Sequence, residues 1–253
     1  MDIDTEHIMR NAAFEYLSQW HQTDSSLMAN IVLEDNLRKR GDAFSKLATK
    51  YQVVRSFPVK AIRTAEGEAG VAKRWQTVAA SVIRVKIDDG NETTSADKVH
   101  ALARRLGQIF SAEEKSEENP VLISAATKFL WFAGNTSIRI YDKRAVDALN
   151  KLHGSGRVNG DYAAYAKAWD AEFESRKKMV KEAIEGSIES IDSCAIPVGP
   201  ARRLAIQASK KDWYRDRVFD KFLWKLGAKK QDGALKDEEK NEQLRKLLVL
   251  LEA

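Results

Sequence analysis

Two residues fourteen apart, Lys128 and Asp142, have types and surroundings that could do chemistry. Lys128 follows the small-residue run SAAT and precedes the bulky run FLWF, so its amine would lie between a thin wall and an aromatic one. Desolvation in such a place disfavours the ammonium form. That matters because an ordinary lysine is neutral in only roughly one molecule in two thousand at pH 7, and only the neutral amine is a nucleophile. Asp142 stands before KRAVDALNKL, where a helix N-terminus would hold its carboxylate ionised. An ionised carboxylate beside an activatable amine suits attack at an acetal-like carbon. The carboxylate stabilises a developing oxocarbenium charge while the amine or a water adds. The same two residues also have a plainer reading, a solvated lysine and a helix cap.

The elements around them must allow the pair to meet. Helix from Lys128 to Ala133 rises about 8 Å, and the return segment 134–141 can span up to about 26 Å if extended. Pro120 suits the first position of the helix carrying Lys128, Gly134 its left-handed close, and Asp142 the cap of a helix over 143–152. Elsewhere the apolar spacing predicts helices over 5–20 and 27–47, over 71–86, over 96–110 with Ser95 as N-cap, over 162–187, 201–209 and 212–226, and an apolar terminal helix over 244–251. YQVVRSFP, 51–58, reads as a short extended segment, and SVIRVKI, 81–87, as a strand or the end of a helix. SAEEKSEENP is an acidic connection, HGSGRVNGD a loop, CAIPVGP a break, and AKKQDGALKDEEKNEQ a polar linker. The expectation is an all-α, multi-helix globular bundle with little or no sheet, divided into helical regions 1–115 and 116–253 that join as one compact unit.

A chain of 253 residues that is 43% apolar and 31% charged can bury a sizeable core. No stretch approaches about 18 consecutive apolar residues, and MDIDTE lacks the basic and apolar regions of a signal peptide, so a cytoplasmic protein with no membrane partner is expected. Cys194 is the single cysteine, expected to be a buried small residue, and His7, His21, His100 and His153 are scattered. No metal or cofactor is expected.

The net charge of +5 is unevenly spread. Between Ala201 and Lys230 there are ten Lys or Arg against three Asp, an excess of seven, with Trp213, Tyr214 and Trp224 interleaved. Such a stretch is the footprint of a phosphate backbone with aromatics nearby, or a helix with a solvated outer face and core aromatics.

The residues SAATKFLWF and IYDKRAVDAL resemble the lysine-to-aspartate segment of helix-hairpin-helix DNA glycosylases, in particular the 8-oxoguanine glycosylase-fold group found among bacterial and anti-phage proteins. DRVFDKFLWKLG, Asp216 to Gly227, looks like a closing helix of such bacterial proteins. The first match covers about thirty residues. It lacks the glycine-rich hairpin before the lysine, and its lysine-to-aspartate spacing is short for the family. The resemblance implies Lys128 as a Schiff-base nucleophile toward deoxyribose and Asp142 as the residue assisting base loss. It implies a flipped nucleotide, with Trp131, Tyr141 and Trp75 as candidates to hold the base and Arg144 to clamp a phosphate. Arg202, Arg203, Lys210, Lys211, Arg215 and Arg217 would track the DNA backbone. The expected function is base excision from damaged or modified DNA, with or without lyase activity, in a setting such as phage defence. A non-catalytic helical DNA-binding or defence-complex protein, and an interaction module using its apolar terminal helix, stand as alternatives.

Overall fold

Apolar residues recurring at three- and four-residue steps wind most of the described residues into helices that each bury one face, and one helix that buries almost every face. The computed structural model describes residues 3–87, 93–110, 120–153, 158–194 and 196–228. Among them the elements are α1 (Ile3–Gln19), α2 (Ser25–Val32), α3 (Leu37–Lys50), α4 (Val59–Ile87), α5 (Ser95–Phe110), α6 (Pro120–Phe132), α7 (Lys143–His153), α8 (Tyr162–Glu189), α9 (Pro200–Ser209) and α10 (Asp212–Leu226), with no strand. No helix among the described residues is long and apolar enough to cross a membrane. The acidic connection 111–119, part of the HGSGRVNGD loop, most of the polar linker and the terminal helix 244–251 lie outside the described residues.

Helix α6 is the axis of the bundle. Every residue from Ala125 to Phe132 is buried, which makes it apolar all round apart from Thr127 and Lys128. It packs against α5 and also touches α2, α3 and α4, while α1 packs against α8 and α10, and α10 against α7. Phe44, Trp75 and Phe129 meet edge to face, as do Trp131 and Trp213. The core is one cluster from Met9 to Leu223, so it runs across the 115/116 boundary.

Three expectations need correction, and one left open is decided. The helix over 27–47 is two helices: α2 ends at Val32, and Asn36 caps α3 by accepting hydrogen bonds from the Arg38 and Lys39 amides at 2.9 and 3.2 Å. The segment 51–58 is not extended, because Gln52 turns left-handed (φ 58°) and Val53–Ser56 form one tight helical turn. SVIRVKI is helical, being the end of α4, which begins at Val59 and kinks at Gly67 (φ 68°). Val82 continues the buried face of Trp75 and Val78, and burial outweighs local strand preference. Finally, Thr94 rather than Ser95 caps α5: its amide donates to the Asp97 carboxylate at 2.9 Å and its hydroxyl accepts from the Asp97 amide at 3.2 Å.

Candidate nucleophile and carboxylate site

Lys128 and Asp142 meet. The chain leaves α6 at Gly134 (φ 93°), where the amides of Gly134 and Asn135 donate back to the carbonyls of Trp131 and Leu130 at 2.9 and 3.1 Å. This double closure turns the chain sharply. The return segment then has no regular partner for its backbone, and side chains of two helices supply one. Tyr165 donates to the Ile140 carbonyl at 2.7 Å, the Tyr162 hydroxyl both accepts from the Arg139 amide at 2.9 Å and donates to the Arg139 carbonyl at 3.1 Å, and Thr127 accepts from the Tyr141 amide at 3.1 Å. The last bond ties the residue before Lys128 to the residue before Asp142. It fixes the register of the pair.

Asp142 is the N-cap of α7, accepting from the Arg144 amide at 3.0 Å through Oδ1. Its other oxygen, Oδ2, accepts from Lys128 Nζ at 3.4 Å. The amine also donates to Ser124 Oγ at 2.7 Å and to the Tyr141 carbonyl at 3.4 Å. Ser124 stands one turn before Lys128, a spacing visible in the sequence though its role was not read there. Burial pushes the Lys128 ammonium below the ordinary lysine range, against the pull of the Asp142 carboxylate. Exposure separates the two groups: the Lys128 side chain retains 3% of its surface and that of Asp142 31%. Solvent, or a substrate, meets the carboxylate first and the amine behind it.

Helix α10 holds α7 in place at a very close approach. Gly227 faces the Arg144 carbonyl so tightly that a Cβ there would lie 1.8 Å from the oxygen. Beside this contact the Arg144 guanidinium stacks on Trp224, 4.2 Å from the ring centre.

The aromatic residues expected to hold a base are in the core. Trp131, Tyr141 and Trp75 retain 1, 2 and 3% of their surface, and each packs against other rings. None lines an open pocket beside Asp142 as it stands. Two surface clefts lie elsewhere, one along α4 and α5 with Lys73, Arg74 and Arg105, the other between α1 and α8 with Glu6, Glu182 and Glu185.

Among the expected backbone-tracking cations, Arg217 must be reassigned. It is buried, bonds Asp220 at 3.0 Å and the Tyr51 hydroxyl at 3.2 Å, approaches Asp24 at 3.8 Å, and lies over the rings of Trp131 and Tyr16. Asp24 reaches it from a π-helical turn, Trp20–Asp24, and Trp169 Nε1 donates to Asp220 at 2.8 Å. A charge so enclosed by carboxylates and rings cannot reach a phosphate. Arg202 pairs with Asp192 and Arg215 with Asp212. Arg203, Lys210 and Lys211 are exposed and pair with no carboxylate among the described residues. Among the described residues no group of three or more His, Cys, Asp or Glu comes together as a metal site would require. Cys194 is buried. Comparison with protein-family models, with curated proteins and with solved structures finds no match to this chain.

Proposed function

We propose that the protein is a DNA glycosylase that excises a damaged or modified base, with Lys128 and Asp142 as its reacting pair. One observation carries this reading: a buried amine, held below its ordinary pKa, 3.4 Å from the carboxyl group that caps a helix N-terminus and faces solvent. As the bond from deoxyribose C1′ to the base breaks, its electron pair leaves with the base and positive charge develops on the sugar. The Asp142 carboxylate would stabilise that charge. The neutral Lys128 amine, or a water aligned by Asp142, then bonds to C1′. Because the sugar carbon is inaccessible within a stacked duplex, the nucleotide must be extruded toward Asp142. The resemblance of SAATKFLWF and IYDKRAVDAL to the glycosylase segment points the same way.

A second reading has its own observation. Ser124, Tyr141 and Asp142 offer three acceptors, which satisfy all three donors of an ammonium. On that reading Lys128 is a charged tie between α6 and α7, and the protein is a non-catalytic DNA-binding protein that uses exposed cations such as Arg203, Lys210 and Lys211.

Borohydride trapping and abasic-site detection on oxidised, alkylated and phage-modified DNA separate the two. The glycosylase reading expects abasic product that Asp142→Asn abolishes without loss of folding, since Asn caps a helix as well as Asp. A covalent adduct that vanishes in Lys128→Ala identifies the amine as the nucleophile, and product without an adduct identifies a water. Absence of product from every DNA, with both variants matching the parent in binding, refutes the glycosylase reading.

A further inference from the structure

Trp224 is the one tryptophan among the described residues that leaves a large part of its ring uncovered, 39% of its surface. It stands three residues before Gly227, whose contact with the Arg144 carbonyl locks the end of α10 onto the start of α7. The ring is therefore held beside the Asp142 cap by a backbone contact. Two cations lie against it, Arg144 at 4.2 Å and Lys221 at 5.1 Å from its centre. They differ in what else they touch. Lys221 is shared with Glu15 at 3.4 Å and Gln19 at 3.4 Å, whereas Arg144 pairs with no carboxylate among the described residues. An arginine that rests on an aromatic ring without an anionic partner keeps its planar array of donors for another anion. A half-exposed tryptophan beside it offers a surface on which an unstacked base can lie. Arginine for phosphate and tryptophan for base are the two parts of a site for an opened nucleic-acid strand.

We propose that Arg144 and Trp224, with Lys221 as an auxiliary cation, form a DNA-strand platform flanking Asp142: the guanidinium takes a phosphodiester and the indole stacks a base next to the extruded nucleotide. The platform relies on the glycosylase reading only for the direction in which the reacting sugar lies. It gives the buried pair an anchor that the core aromatics Trp131, Tyr141 and Trp75 do not supply. It also moves the aromatic contact from the core to α10, the helix whose Lys221 borders it.

The test is fluorescence anisotropy with the full chain and a fluorescein-labelled duplex containing a tetrahydrofuran abasic analogue, titrated over a series of salt concentrations. Trp224→Ala is expected to weaken binding about tenfold with an unchanged salt slope, as loss of one stacked base does. Trp224→Phe keeps most of the affinity. Arg144→Gln is expected to weaken binding and to lower the slope of log K against log salt by about 0.9, the signature of one lost phosphate contact. Thermal melting of each variant controls for folding, and loss of packing alone leaves the salt slope where it was. Parent-like affinity and slope in both Trp224→Ala and Arg144→Gln overturn the platform, as does a parent that does not bind this duplex. If these variants lose binding while no DNA yields an abasic product, the platform stands and the catalytic reading falls. If product forms and the variants bind normally, the reverse holds.

Discussion

Gly227→Ala should destabilise the protein and disable its candidate site, although the backbone there suits alanine. The residue has right-handed angles (φ −81°, ψ −10°). On conformational grounds alone, replacing glycine at such a position stabilises by about 0.4–1 kcal/mol, by restricting the unfolded chain. The new Cβ, however, would lie 1.8 Å from the Arg144 oxygen and 2.6 Å from its carbonyl carbon, both backbone atoms of α7. To reach the 3.0 Å below which Cβ contacts essentially never fall, the α10–α7 contact must open by about 1.2 Å from 1.8 Å. Overpacking of this kind costs about 1–3 kcal/mol, which leaves a net loss on the order of 1–2 kcal/mol. For a chain of this size that lowers Tm by about 2–8 °C. The displaced strand of backbone is the first turn of α7, which carries Asp142, so the 3.4 Å contact to Lys128 opens with it. Misplacement by about 1 Å can cost roughly a hundredfold in rate. Circular-dichroism melting reads the stability, and single-turnover base release reads the site. Gly186→Ala is the control of opposite sign, because nothing lies within 4 Å of its Cβ and it sits within α8, where alanine gains about 0.5–1 kcal/mol. A Gly227→Ala protein that melts at or above the parent refutes the packing argument, and one that melts lower yet releases base at the parental rate refutes its link to the site.

Two further perturbations test the buried charges. Burial holds the Lys128 ammonium below its ordinary value of 10.5, so between its folded pKa and 10.5 the unfolded chain binds the extra proton and stability rises with pH. Lys128→Met removes that rise; urea denaturation across alkaline pH should show the parent gaining on the variant, and a constant difference contradicts the assignment. Arg217→Met leaves Asp24 and Asp220 buried without their cation and is expected to cost about 3–5 kcal/mol by denaturant titration, with a cost below 1 kcal/mol counting against the network. In the parent, burial pushes the Asp220 carboxyl up to about 6, so it adds stability at acid pH that is lost as pH rises through 6. Carbon NMR of the carboxyl should move to higher pKa in Arg217→Met.

Local punctuation was the legible part of this molecule. Pro120, Gly134 and Asp142 each do what their residue types demand of backbone geometry, and a simple estimate of reach brought Lys128 and Asp142 together. Asn36 was hidden because Ile31, Leu37 and Phe44 continue an apolar spacing across the break, so the cap reads as one polar residue in a long helix. Thr94 and Ser95 are both good caps by type, and the choice between them rests on which one lies three residues before Asp97. SVIRVKI stayed open between strand and helix end, because β-branched residues favour a strand while the packing of Val82 beside Trp75 and Val78 on α4 leaves no trace in local preference. Thr127 and the hydroxyls of Tyr162 and Tyr165, which hold the return segment, act across 14 to 25 residues and leave no periodic trace.

Charge was the least legible property, because a basic run states how many cations there are and not which way they face. Arg217 sits three residues before Asp220 on one side of α10, a pattern that on an exposed helix would be an ordinary surface pair. It becomes a core element only because Asp24 and Tyr51, far away in sequence, close over it from the other half of the chain. The basic stretch therefore has two jobs that its composition merges. Arg217 joins the halves of the bundle and stands over Trp131, on the helix that carries Lys128, so it acts on the candidate site from inside. Arg203, Lys210 and Lys211 remain outside and can act only through a partner's charge. A substitution in this stretch that weakens DNA binding is thus informative about an interface only when melting is unchanged. One at Arg217 would mimic the loss of a contact that the protein never makes.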